Sequence, residues 1–193
     1  MTVNTDFYVP DFEIEIDGQT FKRQTFSHGT TVDIISVSIT ETINQADSFS
    51  ITVREHNPKE GRFASDQLIW LDNKVFDEGN KIQIEMGYRG NRTVKLKGRI
   101  KGMNVTFPES GAPTLTVRGL SEYDQLFRKT RLKPFDQTKD SDIASAFAMD
   151  IGLTPDVQDT QVKHDLVSPE GATYAAILLD LSLIHISEPT RPY

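Results

Sequence analysis

The first two-thirds of the chain alternate between apolar and polar residues with a period of two. Phe12, Ile14 and Ile16 are interleaved with Glu13 and Glu15, the pattern of a strand with one face buried. Asp17-Gly18 follows at once and suits a tight hairpin, because glycine accepts positive φ. Gln19 to Phe26 reads as the returning strand. The alternation recurs in Val37 and Ile39 among Ser36, Ser38 and Thr40, then in Phe49, Ile51 and Val53 among Ser50 and Thr52. It recurs again in Ile82, Ile84, Met86 and Tyr88, with Arg89 to Arg92 as a turn. Val94, Leu96, Ile100, Met103, Val105 and Phe107 extend the set past Gly98 and Gly102. Those glycines are expected at bulges or bends. Leu115, Val117 and Gly119 make a last strand after the Gly/Pro-containing loop 108–113.

Many short strands with wet outer faces predict a mainly β fold, an antiparallel β-barrel or sandwich. The interval Glu55 to Gly79 breaks the period. It holds the single tryptophan, Trp70, beside Leu68, Ile69 and Leu71, and is read as a loop with a short helical piece docked by these side chains. The pattern changes near residue 133. Lys139-Asp140-Ser141-Asp142 precedes a helical apolar stripe, Ile143, Ala144, Phe147 and Ile151, and Gly152 follows. Acidic residues suit the positive end of a helix, and glycine suits its end. A short strand around 162–167 and a second helix from about Ala172 complete the reading. The expected division is therefore a β domain over 1–133 and the start of a small α/β domain over 134–180.

Residues 181–193 stand apart. Leu181 to Arg191 resembles, without a gap, the translation of a sequencing adapter read through beyond an insert. The expectation is that 181–193 is a non-native tail, that His185 belongs to no site, and that the natural chain continues past Asp180.

Composition narrows the chemistry. The chain has 193 residues, no cysteine and a formal charge of −7. Disulfides, thiolate metal sites and a cysteine nucleophile are excluded. Acidic chains repel nucleic-acid backbones and anionic membranes unless a basic patch is concentrated. Arg128, Lys129, Arg131 and Lys133, flanked by Phe127 and Phe135, form the one such cluster. It is read as a solvated junction or subunit interface rather than a single-strand nucleic-acid site. No apolar run reaches the length of a membrane span, and Met1 to Pro10 has no signal-peptide character. His28, His56 and His164 show no metal-ligand spacing. Glu13 and Glu15 share a polar strand face, and no nucleophile elbow or phosphate loop occurs. No catalytic residue, metal site or cofactor site is read from this chain.

One ordered set of residues goes further. It runs Trp70-Leu71-Asp72-Asn73, Phe76 to Ile84 with Gly79, Gly87-Tyr88, Gly98-Arg99-Ile100, Phe107-Pro108, and Gly111 to Gly119. It continues through Leu126-Phe127-Arg128 and Asp140 to Ala144. In order and spacing it resembles the phage late control D protein family over about residues 10–180. That family comprises baseplate hub proteins of contractile tails, similar to the N-terminal part of type VI secretion spike proteins. The resemblance implies a tail-tube-like first domain and a non-enzymatic structural role. It also implies a homo-oligomeric ring, expected as a trimer, that joins tail tube to spike in a virion or injection-device baseplate assembled in the bacterial cytoplasm. No specific nucleic acid and no membrane insertion are implied. Trp70, Phe76, Gly79, Gly87, Tyr88, Gly98 and Gly119 become the candidate architectural or interface residues. Edge strands and the 55–79 excursion become the expected binding surface. The competing reading is a β-rich carbohydrate-binding or wall-hydrolysing tail module, which needs an exposed aromatic platform such as Trp70.

Overall fold

A computed structural model describes residues 10–22, 24–27, 30–42, 45–55, 69–72, 74–88 and 90–187. The chain divides into two compact units, Met1–Glu122 and Tyr123–Tyr193. The residues 123–133, expected with the first domain, therefore fall in the second unit.

The first unit is one antiparallel sheet. Its strands are β1 (Pro10–Ile16), β2 (Gln19–Lys22), β3 (Gln24–Ser27), β4 (Thr30–Thr40), β5 (Ser48–Arg54), β6 (Lys81–Tyr88), β7 (Asn91–Thr106) and β8 (Thr114–Ser121). Their order across the sheet is β2-β1-β6-β7-β8-β5-β4-β3. The sequence expectation of a mainly antiparallel β fold holds, but the sheet does not close into a barrel. The segment 19–26 is not one returning strand. It holds two strands, β2 ending at Lys22 and β3 beginning at Gln24, which stand at opposite ends of the strand order.

Period-two alternation builds this sheet as expected. Ile14 and Ile16 on β1, Ile51 and Val53 on β5, Ile82 and Ile84 on β6, Leu96 and Ile100 on β7, and Leu115 and Val117 on β8 are all buried in one core. Asp17 and Gly18 both take positive φ, at 45° and 84°, which closes the β1–β2 hairpin as the dipeptide predicts. The Asp17 carboxylate also accepts the Lys81 backbone N–H at 3.0 Å, tying the turn to the start of β6.

Among the described residues bulges lie at three places. The β7–β8 register shifts between Ile100 and Gly102, the β6–β7 register between Ile84 and Glu85, and the β4–β5 register between Ile34 and Ser36. Gly102 thus lies at a bulge as expected, whereas Gly98 does not. The β4 shift leaves the intervening Ile35 exposed between two strand residues paired with β5.

The second unit has its own core. Its elements are α2 (Asp124–Arg128), β9 (Phe135–Lys139), α3 (Asp140–Asp150), β10 (Lys163–Val167) and α4 (Tyr174–Ser187). The remaining helix, α1 (Ile69–Asp72), belongs to the first unit. β9 and β10 pair as a two-stranded antiparallel sheet. Phe135, Ile143, Phe147, Ile151, Tyr174, Ile177 and Leu181 are buried together. Phe147 stacks on Tyr174 at 4.0 Å between ring centroids and meets the Phe135 ring edge-on at 5.6 Å. α3 stops as read from the sequence: Gly152 has φ +80°, and Leu153 N–H returns to Ala148 O. Its start differs. No side chain of the cap residue Lys139 closes the first turn. Instead Thr160 Oγ1 accepts the Ser141 backbone N–H, and Ser141 Oγ donates to Asp159. Asp140 and Asp142 remain in the first turn, where the dipole favours them.

Tyr174 donates its hydroxyl to Asp150 Oδ2 at 2.9 Å, and Lys129 Nζ donates to the same oxygen at 2.9 Å. Lys129 first, then Tyr174, holds the Asp150 carboxyl below its ordinary value of 3.8. A carboxylate with a depressed folded pKa contributes stability that is present above 3.8 and is lost as pH falls through the lower folded value. Titration followed by carboxyl NMR shifts is expected to give Asp150 a midpoint below 3.8, and Tyr174→Phe is expected to move that midpoint back toward it. A midpoint unmoved by Tyr174→Phe would contradict the hydroxyl's part.

Candidate interaction surface

The outer face of the large sheet splits into two chemically distinct halves. On β4, β5, β8 and the far half of β7 the outward residues are mostly small hydroxyls, with Asn104 and Arg118 among them. Register sets Ser36, Thr52, Thr116 and Asn104 in one row, and Ser38, Ser50 and Arg118 in the next. Thr52 and Thr116 hydroxyls approach to 3.4 Å, a cross-strand contact of the kind that steadies neighbouring strands. At the rim of this half Arg54 pairs with Asp33 at 2.9 Å.

The other half is charged. Arg92 on β7 donates to Asp11 at 2.6 Å and to Glu13, both on β1, and lies 3.9 Å from Glu85 on β6. One guanidinium therefore serves three carboxylates. The hydrogen bond to Asp11 is the largest cause of a raised Arg92 pKa, with burial opposing it. Glu15, Lys81, Gln83, Lys97 and Glu122 line a shallow depression of about 320 Å³ beside this cluster. The ion pair with Arg92 gives Glu13 a structural partner on β7.

The seven candidate residues fall into three groups. Trp70 and Phe76 are core residues. Trp70 is 3% exposed, and its ring meets Phe76 edge-on at 6.0 Å, while Phe76 lies 6.2 Å from Phe21. A buried tryptophan provides no stacking platform for a sugar, so the observation that would favour a carbohydrate module is not met. Gly79, Gly87, Gly98 and Gly119 are architectural. Gly79 takes φ +94° and donates its N–H to Ile100 O, which sets the entry into β6. The other three have ordinary φ but no space: a Cβ would sit 2.3 Å from Asn91 O at Gly87, 2.3 Å from Leu120 O at Gly98 and 2.2 Å from Arg99 O at Gly119. Gly98 is thus required by close backbone approach and not by a bend. Tyr88 is the one exposed aromatic of the seven, at 52%, beside the β6–β7 turn.

The sequence did not single out Glu55, which anchors the excursion. It is buried, and its carboxylate accepts the backbone N–H groups of Trp70 and Leu71 at 3.0 and 2.8 Å. Its own N–H donates to Pro113 O at 2.8 Å. One carboxylate thereby satisfies the open end of α1 and seats Trp70 on the core. Replacing Glu55 by Gln puts a second donor against these N–H groups. It is expected to cost about 2 kcal/mol in urea denaturation, in the range for an orphaned buried partner. A cost below about 0.5 kcal/mol would show that the excursion is held otherwise. Most of the excursion, residues 56–68 and 73, lies outside the described residues, as do His28 and His56.

The basic cluster is largely spoken for. Arg128 pairs with Asp124, Lys129 with Asp150, and the Arg131 guanidinium lies 3.9 Å over the Phe135 ring while donating to Lys133 O. Phe135 is a core residue and offers no free face for a base. His164 Nε2 lies 2.7 Å from Asp140 Oδ1, which makes it a structural link between β10 and α3. Among the described residues no group of His, Asp and Glu gathers with metal-binding geometry, and no helix is long and apolar enough to cross a membrane.

A family model described as the Alg8 N-terminal domain matches residues 8–173. The chain belongs to that family. This family is not the late control D family that the sequence resembles. No curated protein matches the sequence. Among solved structures the fold recurs in the 43 kDa tail protein of prophage MuSo2 from Shewanella oneidensis. The TM-score is 0.56 and identity 15%, covering 90% of this chain and 47% of that one. It recurs also in the tail protein from Neisseria meningitidis MC58, with TM-score 0.55 and identity 13%, covering 89% of this chain and 44% of that one. The chain thus spans less than half the length of either structure. At these identities the likeness is one of fold.

Proposed function

We propose that this chain is a structural component of a phage tail or a phage-tail-like injection device, and within it part of the baseplate hub that joins tube to spike. The observation that carries the reading is the recurrence of the fold, over about nine-tenths of the chain, in two proteins that are themselves tail proteins. The ordered residues that resemble the late control D family support the finer assignment to a hub. The chemistry fits a scaffold. Gly87, Gly98 and Gly119 are fixed by packing, Arg92 is held in ion pairs with Asp11 and Glu13, and the one tryptophan lies in the core.

In this reading the protein is not an enzyme. It acts as one member of a homo-oligomeric ring, a trimer by the late control D resemblance, with tail-tube and spike proteins as neighbours in the tail baseplate. The hydroxyl-rich half of the sheet is the surface at which acidic copies meet with least repulsion, since each copy carries a formal charge of −7. The carboxylate-rich half around Asp11, Glu13 and Glu85 then faces the ring interior.

Co-expression with a phage tail-tube protein tests this. The expected result is a ring-shaped co-complex in negative-stain images, and no release of soluble fragments from purified peptidoglycan. A monomer that fails to co-assemble at high concentration, or measurable wall hydrolysis, overturns the reading.

A further inference from the structure

The second unit contains a cleft that the proposed structural role does not use. It has a volume of about 300 Å³ and lies between β10 and α4, lined by Leu166, Val167, Pro169, Ala176, Ile177 and Asp180 among others. Leu181, the first residue of the adapter-like stretch, also lines the cleft. Three features of the cleft point the same way. First, among the described residues the only strand paired with β10 is β9, so β10 keeps one edge of backbone N–H and C=O groups unused by a ladder. Second, the walls combine apolar side chains with His164, Ser168 and Asp180, and Leu166 remains 63% exposed. Third, the only carboxylate in the lining is Asp180, and Glu170 stands exposed on the turn that follows β10.

An unused strand edge beside an apolar helix face is the geometry that receives a peptide by strand addition. Main-chain hydrogen bonds give affinity, and alternate side chains enter the pocket. The carboxylates at the rim select the charge of the incoming chain. We propose that this cleft binds an extended peptide segment of another protein as a third strand on β10, with apolar residues at alternate positions and lysine or arginine between them. Small apolar side chains of the peptide enter between Ala176, Ile177 and Val167, and its cations face Asp180. This inference does not depend on the proposed hub role, because it rests on the second unit alone.

The test uses the 193-residue chain. The probe is an end-blocked, fluorophore-labelled peptide of about eight residues alternating lysine and valine, long enough to span a strand of this length. Fluorescence anisotropy is expected to show saturable binding that weakens as salt rises. Ala176→Arg fills the cleft from an exposed helix position and adds a repelling charge, and is expected to weaken binding at least tenfold. Asp180→Lys is expected to weaken it several-fold. A peptide of the same charge with proline in place of valine has no N–H at those positions for the ladder, and is expected not to bind. Circular dichroism of both variants identical to that of the parent chain separates loss of binding from loss of fold. The proposal is overturned if the parent chain shows no saturable binding, if Ala176→Arg binds as the parent does, or if the proline peptide binds equally well.

Discussion

Replacing Gly119 by alanine is expected to cost about 3 kcal/mol, the upper part of the range for forcing atoms into a packed core. The added Cβ would lie 2.2 Å from Arg99 O and 2.4 and 2.5 Å from two carbons of the Phe49 ring. Neither neighbour yields cheaply. Arg99 O is backbone of β7, bound into the sheet beside β8, and Phe49 is a buried core side chain on β5. Gly119 pairs with Ile100 on one side and Phe49 on the other, so the clash falls at the centre of the eight-strand order. Gly102 is the internal control. It has no atom within 4 Å of a built Cβ and no positive φ. Gly102→Ala is expected to leave stability unchanged or raise it by about 0.5 kcal/mol through a stiffer unfolded chain. Guanidinium denaturation of both variants decides the matter through the midpoint at constant slope. Equal midpoints for the two would show that the sheet relaxes around Gly119 and that the close approach imposes no constraint.

Gly119 also shows what a sequence reveals and what it withholds. Its place at the end of an alternating strand was legible, as were the Asp17-Gly18 hairpin, the short helix at Trp70, the Gly152 stop and the strand near 162–167. Each is a local signal: two residues that demand a dihedral, or a period held over several residues. The reason Gly119 must be glycine is not local. It needs the positions of Arg99 and Phe49, which pairing across two ladders brings together. Glu55 escaped for the same reason, since its partners lie 15 and 16 residues on, across a stretch without periodicity. β9 escaped because Phe135 is its one buried residue, and a strand with so little buried on either face carries no alternation. α2 has five residues, too few for a helical period. The open sheet was ambiguous because alternation reports which face is buried and says nothing of whether the first and last strands pair. The candidate surface was legible only in part. Ser and Thr alternation announced a wet face, but its division into a hydroxyl half and a charged half depends on strand order, which sequence neighbours do not reveal.

Replacing Phe147 by alanine is expected to unfold the second unit while sparing the first. Large-to-small changes at a buried phenylalanine cost about 3–5 kcal/mol, and Phe147 is 1% exposed. Its ring joins β9 to α4, edge-on to Phe135 and stacked on Tyr174. Losing it removes both aromatic contacts and leaves a cavity bounded by Ile143, Ile151 and Ile177. The unit spans only Tyr123–Tyr193. A domain this small buries a modest fraction of its surface, and its total stability is about the size of the loss. The first unit draws on a separate set of buried residues, from Ile14 to Val117, none of which belongs to the Phe147 cluster. Hydrogen exchange is therefore expected to show collapsed protection in peptides from β9, α3 and α4. Protection in β5, β6, β7 and β8 is expected to stay at the level of the parent chain. Phe147→Leu keeps most of the buried volume and is expected to lose about 1.5 kcal/mol or less, with exchange intermediate between the two. Loss of protection spread evenly through both units would show that they fold as one cooperative body. Undiminished protection in α3 would show that the aromatic stack does not carry this core.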